Sequence, residues 1–319
     1  MRIITIGNNR HINKFKKGMT MRILLIGSEG SLGSELLRQL KLNKLYNVFP
    51  FNKKKLDITL NQEIVKVFNK VKPQIVINCA AYTDVEKAEV EPAKAILVNG
   101  TSTKYLAEAS DKIGAIFVHF STDYVFNGEQ NIPYNERNKP DPLNVYGESK
   151  RLGEKYIEES TTRYFIIRTS WLFGRGEKKN FVDKILDLSE IQKDIPVITD
   201  QFGSPTYTVD LASATLDLIL TNHFGIYHIV NKGVASRYTF AQEILRYSKR
   251  NVVQISKVDS KLYPNFAKRP KFSVLDCLLF SNVIGYELPN WRVGLSQYLK
   301  ERRSGETFVR SQSSSKKLW

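Results

Sequence analysis

A chain of 319 residues, 42% of them hydrophobic and 25% charged, is long enough for one large domain or two smaller ones with ample core. Its two cysteines, Cys79 and Cys277, are far apart and its four histidines are scattered, which argues against a disulfide framework or a zinc site. No apolar run approaches the ~20 residues of a membrane span and no secretory pattern is present, so a soluble, cytoplasmic protein is expected.

The formal charge of +16 sits largely in the tails. Residues 1–20 hold five basic side chains and no acid, and residues 300–319 hold six basic and two acidic ones. The body between lacks the interleaved aromatics of a nucleic-acid binder, so small anionic ligands are the expected partners, with no nucleic acid and no membrane.

The chain opens twice, with MRIITIG from Met1 and MRILLIG from Met21. Each phrase reads as a short buried strand ending in glycine. After the first come Asn8, Asn9, Arg10 and His11 and no helix pattern. After the second come Gly27, Gly30 and Gly33 in GSEGSLG, then the helix-forming SELLRQLKL. Strand, glycine loop and helix in succession make a phosphate cradle: glycines let the backbone approach, and the free N–H groups and dipole of the helix start face the anion. Residues 1–20 therefore read as an extension, or as sequence ahead of a true start at Met21. A targeting presequence fits less well, because serine is sparse and no amphipathic stripe is visible.

From Arg22 strands and helices alternate: RILLI, a helix after Gly33, NVFPF, a helix around NQEIVKVFNKV, QIVIN, a helix PAKAILVNGTSTKYLAEAS, AIFVHFS, a helix around VYGESKRLGEKYIEE, and YFIIRTS. This rhythm predicts an α/β fold, a doubly wound parallel sheet covered on both faces. Past Trp171 the pattern becomes irregular, in WLFGRG, DQFGSPTYT and NKGVASRYTF, and predicts a second, smaller region over the strand ends, where such sheets bind ligands. VDLASATLDLIL and GIYHIV read as one more helix and strand returning to the first domain. The expected division is an extension at 1–20, a dinucleotide-binding domain at 21–173 with a return at about 208–230, a substrate-binding region at 174–300, and a polar tail at 301–319.

Three motifs carry chemistry. The glycine loop is GxxGxxG rather than GxGxxG, and gains weight from following the first strand. Where NAD-dependent enzymes usually place an acid, at the end of the second strand, stand Asn52, Lys53, Lys54, Lys55, Leu56 and Asp57. A lysine run is usually solvated surface, but here it could neutralise a 2′-phosphate, which favours NADPH over NADH. Tyr146 and Lys150 in VYGESK share a helix face, where an ammonium would favour a phenolate and bring the tyrosine toward acid–base use. With 15 Tyr in the chain this spacing alone proves nothing, since an exposed helical pair gives the same pattern. STDYVFNG, residues 121–128, follows an apolar strand and places hydroxyls at the crevice, although Ser, Thr and Asp also favour plain turns.

With these motifs in place the chain resembles the extended short-chain dehydrogenase/reductases, a Rossmann-fold superfamily, and within it the dTDP-4-dehydrorhamnose reductases. The likeness runs from about Met21 to Lys300 through GSEGSLGSEL, KLDIT, INCAAYTDVEKAE, STDYVFNG, DPLNVYGESKRLGE, IIRTSWLFG, DQFGSPT, GIYHI and ELPNWRVGL. It implies hydride transfer from a nicotinamide to the C4 ketone of a nucleotide-linked 6-deoxy-4-keto sugar. Tyr146 would be the general acid, Lys150 would lower its pKa and hold the nicotinamide ribose, and Thr122 would hydrogen-bond the ketone oxygen. Asp123 and Trp171 would line the sugar pocket. Gly30, Ser31 and Leu32 would hold the pyrophosphate, Asp57 and Ile58 the adenine side, and Ala81, Tyr82 and Thr83 the cofactor's strand-end contacts. Related dehydratases carry Thr-Asp-Glu where this chain has Tyr124, so reduction fits better than dehydration. Some of these reductases dimerise around Mg2+, and Glu35 falls at one such position, though a glutamate there is more often solvated. Two alternatives remain: a reductase of another nucleotide-linked keto sugar, and a non-catalytic, cofactor-binding regulatory subunit like that of methionine adenosyltransferase, which Trp171 and DQFGSPT argue against.

Overall fold

The computed structural model describes residues 20–250, 252–262 and 267–304, so the repeated opening phrase and the polar tail lie outside the described residues. The first part alternates as the sequence suggests: β1 (Met21–Ile26), α1 (Ser31–Leu42), β2 (Tyr46–Phe51), α2 (Asn61–Val71) and β3 (Ile75–Asn78). Then come α3 (Val85–Val90), α4 (Pro92–Ile96), a π-helical turn (Leu97–Thr101), α5 (Ser102–Lys112), β4 (Ile116–Thr122), α6 (Val145–Ser160) and β5 (Tyr164–Thr169). The stretch expected as one helix from Pro92 is thus broken by a π turn. Among the described residues no helix is long and apolar enough to cross a membrane.

Beyond β5 follow β6 (Leu172–Phe173), α7 (Phe181–Ile191), β7 (Asp194–Ile198), β8 (Phe202–Gly203), β9 (Thr206–Tyr207), α8 (Thr208–Leu218), β10 (Gly225–His228), β11 (Ala235–Ser236), α9 (Arg237–Ser248), β12 (Gln254–Val258), α10 (Leu278–Ile284) and α11 (Trp291–Arg303). The central sheet has six parallel strands in the order β10-β5-β4-β3-β1-β2. Successive side chains of a strand point to opposite faces, so β1 feeds two cores. Ile23 and Leu25 meet α1 and α8, whereas Leu24 and Ile26 meet α2 and α5. Pro50, which cannot donate to a ladder, sits in β2 at the sheet edge.

The strand order reverses between β1 and β3, and the crevice at that switch, on the carboxyl side, is where doubly wound sheets hold ligands. A third core, built on Phe173, Val182, Ile185, Phe240, Trp291 and Tyr298, gathers α7, α9 and α11 into the smaller region. The first domain also takes in Phe280 of α10 and Leu288, which pack with α8 and β10 because the helix follows the chain back beneath the sheet.

Candidate active site

The glycine loop lies in the crevice. Gly27 has φ +77°, and a Cβ there would come within 2.6 Å of the Ala80 nitrogen in the loop after β3. A Cβ on Gly33 would lie 2.1 Å from the Gly27 carbonyl, so the loop folds on itself only with glycine at both positions. Gly30 is the N-cap of α1, and no side chain caps the helix, which leaves its first N–H groups, those of Ser31 and Leu32 among them, for an anion. The Ser31 hydroxyl donates to the Arg175 carbonyl at 2.8 Å and so ties the cradle to the smaller region.

At the end of β2, Lys53, Lys54 and Lys55 are exposed. Asp57 accepts from the Thr59 N–H at 3.0 Å and the Thr59 hydroxyl at 2.7 Å, and these bonds hold its carboxyl below its ordinary pKa. Ile58 is 6% exposed within a core cluster, so its side chain serves packing and leaves only backbone for a ligand. Ala81 and Tyr82 are half-buried and Thr83 exposed in the loop after β3. That loop is fixed by Asn99 of the π turn, which accepts from Tyr82 N–H at 2.8 Å and donates to the Tyr82 carbonyl at 3.0 Å and the Ser149 hydroxyl at 2.9 Å.

Tyr146, Lys150 and Thr122 come together over the end of β4. Asn144 caps α6 by accepting from Gly147 N–H at 2.8 Å. Gly147 then lets the helix rest on the Tyr124 carbonyl, which a Cβ would approach to 2.2 Å. The Tyr146 hydroxyl lies beside that of Thr122, and its ring meets Tyr124 edge-on at 6.0 Å. Lys150 does not act on the phenol in the expected way. Its nitrogen lies 2.6 Å from the Phe120 carbonyl and 2.9 Å from His119 Nε2, and burial pushes the Tyr146 pKa up rather than down. The helix is anchored below by a buried pair, Glu154 with Arg168 at 2.8 and 2.9 Å; burial pushes the Glu154 carboxyl up, but the charge and hydrogen bonds of Arg168, with Ser121 and Arg151, together hold it below its ordinary pKa.

Asp123 is 2% exposed and accepts from Ser273 at 2.5 Å and Thr122 at 3.1 Å; burial raises its pKa to about 6. Trp171 holds φ +44°, a strained conformation for a large side chain, and Gly203 packs against its indole. The Arg237 guanidinium lies 3.6 Å from the ring centroid, so one face expected to be open to a sugar is covered by a cation.

Several residues of this site lie outside the motifs. Arg237 lies beside Tyr124 and shares its surroundings with Lys184 and Arg269. Arg269 reaches Glu86 at 2.6 Å through Nη2, while its buried Nη1 has no hydrogen-bond partner among the described residues. Asn78, Asn99, His119 and Ser273 complete the polar set; only their position in or beside apolar strands and helices could have marked them. Glu35 departs from the solvated glutamate expected. It is 7% exposed and held by Arg38 at 2.6 Å and Gln39 at 2.7 Å, because its side of α1 faces α8. Among the described residues no three His, Cys, Asp or Glu side chains are grouped to hold a metal ion.

Residues 21–304 match the family model of the RmlD substrate binding domain. The spore coat polysaccharide biosynthesis protein SpsK of Bacillus subtilis is 43% identical over 283 residues, 89% of this chain and 98% of that protein. The dTDP-4-dehydrorhamnose reductase of Escherichia coli K12 is 35% identical over 88% of this chain and 98% of its own length. The crystal structure of dTDP-4-dehydrorhamnose reductase from Bacillus anthracis in complex with NADP superposes with a TM-score of 0.85 at 37% identity, covering 89% of this chain and all of that one. A glycine cradle at the switch of a doubly wound sheet, a Tyr–Thr pair beside a buried lysine, and likeness along nearly the whole body agree: the chain belongs to the RmlD substrate binding domain family.

Proposed function

We propose that the chain reduces the C4 ketone of dTDP-4-dehydro-L-rhamnose to give dTDP-L-rhamnose, in the cytoplasm and with NADPH in preference to NADH. The observation that carries this reading is the Tyr146 hydroxyl held against Thr122 at the mouth of the switch crevice. The residues fit a dinucleotide: Gly27 and Gly33 leave room for backbone alone, and the start of α1 is free of side-chain caps. Exposed Lys53–Lys55 suit a 2′-phosphate, which supports NADPH.

When bound, NADPH supplies the hydride. Burial keeps Tyr146 protonated at neutral pH, the form a reduction needs, and its proton goes to the oxygen of the former ketone. Thr122 steadies the same oxygen while charge develops on it. Lys150, one turn on, would hold the nicotinamide ribose. Asp123 and Trp171 border the sugar, and the cations of Lys184, Arg237 and Arg269 suit its diphosphate. A regulatory subunit would not need this proton donor at the crevice.

The test is NADPH and NADH oxidation with dTDP-4-dehydro-L-rhamnose generated in situ. Tyr146→Phe is expected to slow turnover about 10²–10⁴-fold while the protein stays folded and still binds NADPH. Folded wild type that binds NADPH but leaves this substrate untouched would refute the assignment.

A further inference from the structure

Asn78 and His119 are side by side on β3 and β4, in register, and α6 lays Lys150 over them. None of the three is more than 1% exposed. Lys150 Nζ lies 2.9 Å from His119 Nε2 and 2.6 Å from the Phe120 carbonyl. His119 Nδ1 lies 3.1 Å from the Asn78 amide nitrogen, and Asn78 Oδ1 is 3.1 Å from the Ala80 nitrogen.

These contacts admit one self-consistent set of hydrogens. The Ala80 N–H can only donate, so its partner is the Asn78 oxygen, and the Asn78 NH2 is left facing His119. That NH2 also only donates, so Nδ1 is the bare nitrogen and Nε2 of the neutral imidazole carries the hydrogen. Nε2–H then points at Lys150. An ammonium has no lone pair to receive it, whereas a neutral amine receives it and still donates to Phe120. The alternatives each set two buried donors face to face. An ammonium donating to Nε2 moves the hydrogen to Nδ1, against the Asn78 NH2. Turning the amide round sets that NH2 against Ala80 N–H. An imidazolium conflicts at both ends, and burial beside Lys150 holds the His119 pKa well below its ordinary value.

We propose that Asn78 and His119 form a tautomer lock on Lys150: His119 donates Nε2–H to the lysine nitrogen and holds it as the neutral amine until an anionic ligand draws a proton to it. Burial acts in the same direction, bringing the Lys150 pKa to about 8. Two groups oppose it: Glu154, one turn along α6 and engaged by Arg168 and Arg151, and Cys79 in the loop after β3. Tyr146 lies one turn earlier on the same helix. His119 is thus a positioning residue that acts through Lys150. The coupled step is Lys–NH2 plus H+ from a buffer acid, which is left as its conjugate base, giving Lys–NH3+. Its role in turnover rests on the proposed function, but the lock itself does not.

With only four histidines, the full chain labelled with 15N-histidine can be read by long-range 1H–15N spectra from pH 6.5 to 9. At pH 9, above the Lys150 pKa of about 8, His119, assigned by its loss in His119→Asn, is expected to be neutral with its hydrogen on Nε2. In Asn78→Asp the carboxylate accepts from both Ala80 N–H and Nδ1–H, so the hydrogen should move to Nδ1. At pH 9 a wild-type hydrogen on Nδ1, or an imidazolium, overturns the lock without recourse to any variant. Calorimetry of NADPH binding at pH 8.5 in buffers of different ionisation enthalpy should then show uptake of about half a proton or more per site, lost in Asn78→Asp. No wild-type uptake overturns the coupling. Absence of NADPH binding would instead refute the proposed function, while the tautomer still decides the lock.

Discussion

Asp123 is a carboxyl whose surroundings discourage its charge. It is buried at the end of β4, and the Ser273 and Thr122 hydroxyls only partly replace lost water. Its pKa is about 6 against an ordinary 3.8. A raised acid favours the folded state fully at low pH and loses that advantage as pH climbs through its folded value, so the change falls between about pH 4 and pH 6. Asp123→Asn removes the titration. Urea unfolding at pH 4.5 and 7 should therefore show the variant gaining on wild type by up to about 2 kcal/mol. A pH-independent difference would mean that the carboxyl does not titrate in this range. Thr122, Asp123, Tyr146 and Lys150 were legible because each lies in a short local pattern. Ser273 was not, since it stands 150 residues from the carboxylate it meets, and nothing near it in sequence marks it. Arg269, and the Asn78 beside His119, were hidden for the same reason.

Helix α6 shows how an element can be read correctly and its setting missed. VYGESKRLGEKYIEE predicted the helix, and the structure adds that two of its glycines are contact points rather than flexible joints. A Cβ on Gly153 would lie 2.3 Å from the Asn99 carbonyl in the π turn. Ala in a helix interior is normally better than Gly by about 0.5–1 kcal/mol, and here the sign should reverse. Gly153→Ala is expected to destabilise by about 1–3 kcal/mol, measured as a lower urea midpoint. It should also raise the KM for NADPH, because Asn99 holds the Tyr82 backbone. The π turn was invisible beforehand, since LVNGT sits inside a run whose helical pattern continues on both sides. Its wider winding answers to packing against α6, a fact of tertiary structure.

At the scale of the whole molecule, alternation of short apolar runs with helices made the sheet legible, while the smaller region resisted because its strands are two to five residues long and pair across distant sequence. Family likeness spans 21–304, and the three cores close within that span. A protein cut to residues 21–304 should keep at least half of the full chain's kcat and its melting temperature within about 3 °C, checked by NADPH oxidation and thermal unfolding. Loss of activity on that cut would assign the outer residues a part in the site. The two regions are also interleaved. The polypeptide leaves the large core near Phe173, returns at Thr208 for α8 and β10, leaves again before Ala235, returns for α10 and leaves for α11. No single peptide bond separates one region from the other, so a protease that nicks a loop leaves both halves strapped together by the remaining passages, and neither can be released by one cut.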